Sequence, residues 1–314
     1  MTNAKLVECV PNVSEGRRRD VIERLSDAAA SVAGARLVDV HSDADHHRSV
    51  FTIVGGSDAV EESVLRLAAV AIEHIDLRQH RGVHPRIGAL DVVPFVPLAA
   101  TPMSVCVQLA HRFGRRLAEA FAIPVYFYGE AALLPERRRL ADIRRGQFEG
   151  LTESLAHDPG RAPDVGPNTF GPSGATAVGA RQPLIAFNIW LRTSDLAVGE
   201  AIARVVRASS GGLPGVQALA FTSSRPGMIQ VSLNLTDLAA TPLHVVVAKV
   251  HEEARCRGVE PAESELVGLA PASAVLGTAA AALGLPSLET RQVLELAAEI
   301  PSVIPSLQPT DLPI

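Results

Sequence analysis

The order in which strand-like and helix-like segments follow one another constrains this chain most, because that order occurs twice. Leu6 to Pro11 is a short apolar run ended by a proline and reads as a strand. Arg18 to Ala33 carries Val21, Ile22, Leu25, Ala28, Ala29 and Val32 at helical spacing. Two β-rich runs follow, Leu37 to Val40 and Val50 to Val54, the second closed by Gly55-Gly56. Asp58 with Glu61 marks a helix start, and Val60, Val64, Leu67, Ala71, Ile72 and Ile75 make one stripe. Arg78 to Arg86 is a polar loop. Leu90 to Leu98 is strand-like, and its Pro94 and Pro97 place it at a sheet edge or end it early. A helix from Met103 to Phe121, a strand at Pro124 to Tyr128 and charged helical segments at Glu136 to Arg145 and Phe148 to Ala156 close the first half.

From Asp158 to Gly179 the composition turns to Gly, Pro, Ala, Ser and Thr, which reads as an ordered connection. The second half opens with a strand at Leu184 to Leu191 and a helix capped by Ser194 and running to Ser209. Strands at Val216 to Phe221 and Met228 to Leu235 flank a Pro226-Gly227 turn. Thr241-Pro242 starts a helix that Gly258 stops. A short strand near Glu265 to Val267 and helices at Ala272 to Leu283 and Leu288 to Glu299 follow. Both halves begin strand–helix–strand–strand–helix–strand, which suits two ferredoxin-like (split βαβ) subdomains of the α+β class. A doubly wound sheet is the rival, weakened by adjacent strands without a crossover helix in both halves. The expected division is 1–180, 181–300 and an irregular proline-rich tail, 301–314.

A length of 314 residues suits two such domains. Apolar content of 47% excludes a disordered chain, and 4% aromatic content argues against a surface of stacking rings. A formal net charge of −5 gives no field to draw in nucleic acid or anionic lipid. No apolar run reaches membrane-spanning length, and the N-terminus lacks the pattern of a secretion signal. Cys9, Cys106 and Cys256 form no disulfide framework or zinc motif, and fit a reducing cytoplasm.

Polar chemistry is densest in the first half. Asp39, His41, Asp43, Asp45, His46, His47 and Arg48 bridge two strands, and His80, Arg81, His84 and Arg86 lie in the loop RQHRGVHPRIGALD. As a metal site the cluster is weak: His80 and His84 are four apart, but Gly82 and Pro85 break the helix that this spacing requires. A site made from loops, with Asp43 or Asp45 as third ligand, stays open. Acid–base work by one histidine is the second reading, since an imidazole pKa of roughly 6.5 suits proton transfer near neutrality. For His41, His47, His74, His111, His157 and His251 a surface or structural role is the ordinary fate. His84 stands apart, positioned between Gly82 and a rigid Pro85. The glycine-rich PDVGPNTFGPSGATAVGAR fails as a Walker loop because Pro172 replaces the lysine, and GxGxxG is absent. Its backbone can still approach a flat or anionic ligand closely, although composition alone equally describes a linker. Arg112, Arg115 and Arg116, and the Arg137 to Arg145 cluster, read as solvated faces, with steering of an anionic substrate tail as the alternative. Neither GxSxG nor a cysteine nucleophile motif is present, so covalent acyl chemistry has little support.

Long strings of the chain resemble the glutamate formiminotransferase family. They are VECVPNVSEG (Val7 to Gly16), HRGVHPRIGALDVVPFVPL (His80 to Leu98), PVYFYGEAA (Pro124 to Ala132), the glycine-rich string, IAFNIWL (Ile185 to Leu191), VSLNLTD (Val231 to Asp237) and ELVGLAP (Glu265 to Pro271). They run in register from about residue 5 to residue 280. The resemblance covers the stand-alone bacterial form and the transferase half of the animal bifunctional enzyme. It implies two similar subdomains packed side by side around a ligand groove, and transfer of a formimino group from N-formimino-L-glutamate to N5 of tetrahydrofolate. Tetrahydrofolate would be a co-substrate, with no metal, in a homodimer serving histidine breakdown. The family's catalytic histidine maps onto His84. Its folate-binding stretch maps onto Gly166, Pro167, Asn168, Thr169, Phe170, Gly171, Pro172, Ser173 and Gly174. Where the animal form carries an acidic residue two past Asp39, this chain has His41, with Asp43 and Asp45 nearby as substitutes. The glycine-rich string is one residue shorter than the animal one, and a cyclodeaminase half is not expected. Independently of the family, Arg48 and Arg86 are candidate clamps for substrate carboxylates. A formyl donor on the same fold and a histidine-cluster metal hydrolase are the alternative activities.

Overall fold

The computed structural model describes residues 5–155, 157–293 and 296–297. Two sheets carry the chain, one from strands up to Ala180 and one from strands beginning at Ile185. The first half runs β1 (Leu6–Cys9), β2 (Asn12–Val13), α1 (Arg19–Ala30), β3 (Ala35–Asp43), β4 (Arg48–Gly56), α2 (Ser57–His74) and β5 (Leu90–Pro97). It continues with α3 (Met103–Phe121), β6 (Val125–Gly129), α4 (Leu140–Ile143), α5 (Gln147–Ser154) and β7 (Thr176–Ala180). β1 and β2 lie between β4 and β5, with β3 outside β4, all antiparallel. β7 and then β6 extend the sheet beyond β5 in parallel.

The second half runs β8 (Ile185–Leu191), α6 (Leu196–Val206), β9 (Val216–Thr222), β10 (Ile229–Leu235), α7 (Leu243–Cys256), β11 (Pro261–Val267) and α8 (Ala272–Leu283). Its strand order is β11-β8-β10-β9, antiparallel throughout. The first sheet contains the same succession as β5, β1/β2, β4, β3. The chain is therefore a mixed α+β protein with two sheets.

Strand alternation decides which face each sheet buries. Val7, Cys9, Phe51, Ile53, Val93 and Phe95 enter one core with Val21 and Leu25 of α1, Leu67 of α2 and Phe113 of α3. Ile189, Val231 and Leu233 pack with Ile202 of α6 and Val246 and Val250 of α7 in another. Each fully buried side chain of this size contributes about 1.5–3 kcal/mol. The intervening residues, among them Glu8, Asn12 and Thr52, point to the opposite face of the first sheet and line a cavity.

In the first half, three segments differ from the sequence expectation. β5 is an interior strand despite Pro94, because that residue sits opposite the lapse in the ladder at Val10 and Pro11, where Val10 N donates to Pro94 O (3.2 Å). The connection before residue 181 hides β7, whose five residues are all buried between β5 and β6. The segment Glu136 to Arg145 is a 3₁₀ turn (Pro135–Arg137) followed by the single turn of α4, not one helix. In the second half, Asp195 rather than Ser194 caps α6, its carboxylate accepting Ala197 N–H (2.9 Å). Of the last expected helix, Thr290–Gln292 form a 3₁₀ turn, and the tail 301–314 lies outside the described residues.

Candidate active site

Between the open faces of the two sheets lies a cavity of about 710 Å³. Glu8, Asn12, Arg48, Thr52 and His84 line it from the first half, and Ala186, Asn234 and Gly268 from the second. The halves also touch beside it. The His41 ring stands 3.6 Å from Glu265 of β11, and Asp45 Oδ2 accepts the Ser224 N–H (2.9 Å).

Two turns bring His84 and Arg48 together. In the β3–β4 hairpin, Asp43 Oδ1 accepts the N–H groups of Asp45 and His46, both at 2.8 Å, and Oδ2 takes His46 Nδ1. His47 follows with φ 51°, in the left-handed region, and this turn delivers Arg48 to the start of β4. The base-bearing loop packs onto that turn at Gly82, where a Cβ would come within 2.4 Å of His46 O. Only glycine permits that approach. Val83 N then donates to Asp45 O (3.3 Å), and Pro85 fixes the chain after His84.

His84 Nδ1–H donates to Pro85 O (2.8 Å), so the ring's lone pair sits on Nε2 and accepts from Arg48 Nη1. Burial, and then the charges of Arg48 and Arg144 and the nearby His46, hold this imidazole well below 6.5. It is neutral at physiological pH. Arg48 is pushed down to about 10 by burial and by Arg144, yet stays charged. Arg144 pairs with buried Asp91, and Arg181 donates to Gln182 O (2.9 Å). Burial pushes the Glu8 carboxyl up, against the pull of Arg181. The cavity thus combines a neutral base with three guanidinium groups.

The other singled-out residues fall elsewhere. Arg86 is buried and turned away, bonding Glu149 through both terminal nitrogens (2.8 and 2.7 Å) and His80 through Nε (3.2 Å). It ties the base loop to α5 and does not line the cavity. Asp43 and Asp45 border a smaller recess of about 220 Å³ with Ser224 and Glu265. No residue from Gly166 to Gly174 lines the main cavity. That stretch instead joins both ends of the base loop, through Leu77 N to Pro172 O and Ala89 N to Ser173 O, each 2.8 Å. Asn168, Thr169, Gly171 and Pro172 are exposed.

The remaining histidines of the cluster are engaged. His47 Nδ1 accepts Gly16 N–H (3.1 Å), and His80 Nε2–H donates to His47 O (2.9 Å), with the two rings 4.3 Å apart. Among the described residues, no group of three or more His, Cys, Asp or Glu is placed to hold a metal ion. Burial, then the neighbouring His80, brings His47 down to about 4. His47 binds its proton more weakly folded than unfolded, so its contribution to stability is full above 6.5 and is lost as pH falls to about 4. Urea midpoints should fall across that window, and His47→Gln should flatten the slope. An unchanged slope would mean that the stacked pair does not resist protonation.

Sequence reasoning missed Glu8, Asn12, Arg181 and Tyr128, all of which line the cavity. Glu8 was signalled by its place between Val7 and Cys9, a charge on the alternate face of an otherwise apolar strand.

Two sheets sharing a strand order, with a charged cleft between their open faces, make this a two-lobed α+β enzyme. Comparison with known sequences agrees and goes further. Residues 6–181 match the family described as the formiminotransferase domain, N-terminal subdomain, and residues 186–307 match the formiminotransferase domain. The chain belongs to the formiminotransferase family and is an enzyme of the transferase class. It is 45% identical over 292 residues to the glutamate formimidoyltransferase of Thermoplasma acidophilum, covering 92% of this chain and 96% of that one. It is 41% identical to the enzyme of that name from Streptococcus pyogenes serotype M1, covering 88% and 92%. The formimidoyltransferase-cyclodeaminase of Gallus gallus is 45% identical over 88% of this chain and 52% of that one. Among the described residues, no helix is long and apolar enough to cross a membrane.

Proposed function

We propose that the enzyme transfers the formimino group of N-formimino-L-glutamate to N5 of tetrahydrofolate, releasing 5-formiminotetrahydrofolate and L-glutamate. The observation that carries this reading is the neutral His84 imidazole, its lone pair on Nε2, facing a cleft that also holds Arg48. N5 attacks the formimino carbon and becomes positively charged. His84 takes that proton and returns it to the departing glutamate nitrogen. Arg48 receives a substrate carboxylate. Holding the two substrates together in the cleft contributes up to about 7–11 kcal/mol more.

The stretch from Gly166 to Gly174 contacts folate in this reading, supported by its bonds to both ends of the base loop. The division at 180/181 into two split βαβ, ferredoxin-like units is supported by the shared strand succession. The enzyme works without a metal, as a cytoplasmic homodimer in histidine breakdown. Purified protein should consume formiminoglutamate only when tetrahydrofolate is present, and faster than it consumes formylglutamate. Equal turnover without tetrahydrofolate sinks the reading, and a faster formyl donor replaces it with formyl transfer.

A further inference from the structure

The nitrogen that must accept a proton is already occupied. His84 Nδ1–H is committed to Pro85 O at 2.8 Å, so Nε2 carries the lone pair, and Arg48 Nη1 donates into it. While that bond stands, the base cannot serve a substrate ammonium. Among the described residues Arg48 and Arg181 are also the cleft's two cations without a paired carboxylate, and of the two Arg48 is the one that holds the base. Arg144 has Asp91, whereas among the described residues Arg48 has no carboxylate within ion-pair distance, and its side chain bonds only the imidazole. Two charge-assisted bonds to a carboxylate are stronger than one bond to a neutral ring.

We propose that Arg48 masks His84 until the donor arrives, and that the donor's α-carboxylate draws Arg48 away and frees Nε2. On the formimino-transfer reading above, bond counting selects the α-carboxylate. It lies three bonds from the reacting carbon, whereas the γ-carboxylate lies five. The base must reach the proton on the atom attacking that carbon, so a group touching the base meets the nearer carboxylate. Arg48 stays protonated throughout, its N–H passing from Nε2 to a carboxylate oxygen. N5 then forms its bond to the formimino carbon and loses its proton to Nε2. His84 gives the proton to the glutamate nitrogen as the old carbon–nitrogen bond breaks. Arg48 closes back onto Nε2 when glutamate leaves. A base exposed only beside a carboxylate-bearing donor also discriminates against amine donors that lack that group.

The charged and titratable groups facing His84 are Arg48, Arg144 and His46. Moving Arg48 onto a carboxylate therefore raises the affinity of His84 for a proton. Nitrogen-15 NMR of histidine-labelled protein, with His84 assigned from a His84→Gln variant, reads this directly. L-Glutamate should raise the His84 midpoint by about one pH unit. 4-Aminobutyrate, which keeps the γ-carboxylate and lacks the α one, should not. In Arg48→Met the midpoint should start high, and L-glutamate should move it no further. In kinetics, the acid limb of kcat should lie above that of kcat/KM in the wild type and coincide with it in Arg48→Met. A midpoint that L-glutamate leaves unmoved at any concentration, or that 4-aminobutyrate moves as far, overturns the masking. The wild-type ligand pair decides even if Arg48→Met does not fold. Turnover with an unmoved midpoint rejects the mask alone, while absence of formimino transfer rejects the functional reading.

Discussion

Replacing His84 by alanine should lower formimino transfer about 100- to 10,000-fold, the range for a lost general acid–base, and leave the fold intact. Of the ring's two bonds, one goes to its neighbour's carbonyl and only the other, to Arg48 of β4, reaches beyond the loop. The loop is also held by Val83 N on Asp45 O, Ala89 N on Ser173 O and the Gly82 contact. The liberated Arg48 faces the cleft. Melting temperature should therefore change little, and KM for the donor should move far less than kcat. A loss below tenfold would remove His84 from the chemistry.

The largest expected effect on stability lies away from the cleft. Arg137 and Asp164 pair at 2.7 Å with side chains only 8% and 5% exposed. Asp164 Oδ2 also accepts Phe127 N–H (2.7 Å), and Arg137 donates to Gly160 O (3.0 Å) and Ala162 O (2.6 Å). Asp164→Ala leaves a buried cation without its counter-charge and should cost about 3–5 kcal/mol. Arg137→Met combined with Asp164→Ala should recover much of that, because an apolar replacement of the whole pair carries no stranded charge. Urea unfolding of both variants checks the contrast. Equal losses in both would show that the backbone bonds, rather than the charge, are what matter.

The succession of the first elements was legible because their alternation and helical stripes are strong. Val7/Cys9 and Phe51/Ile53 fill one face as period two requires. β7 was not legible, since Thr176–Ala180 consists of small residues inside glycine-rich sequence and its burial comes from strands far away in sequence. Pro94 misled because a proline normally marks an edge, and the gap that accommodates it lies in another strand. At the site, His84 stood out through Gly82 and Pro85, both local signals. Arg86 read as equally available, yet Glu149, 63 residues away, occupies it. Pairing at that separation leaves no trace in spacing.

β7 carries one more consequence, for the order in which the protein can assemble. It is the strand through which β6 joins the sheet, and it follows directly on the glycine-rich segment that clasps the base loop. A ribosome that has released residues up to about 170 has made every strand of the first sheet but this one. β6 then has no neighbour, and the His84 loop lacks its bonds to Pro172 and Ser173. Closure of the sheet and setting of the base are thus the same late event, completed by a non-local pairing of the slow kind. A chain stalled or truncated short of Ala180 would expose an open sheet edge, and the sense of self-pairing that such edges invite is kept in check only once those five small residues slot into place.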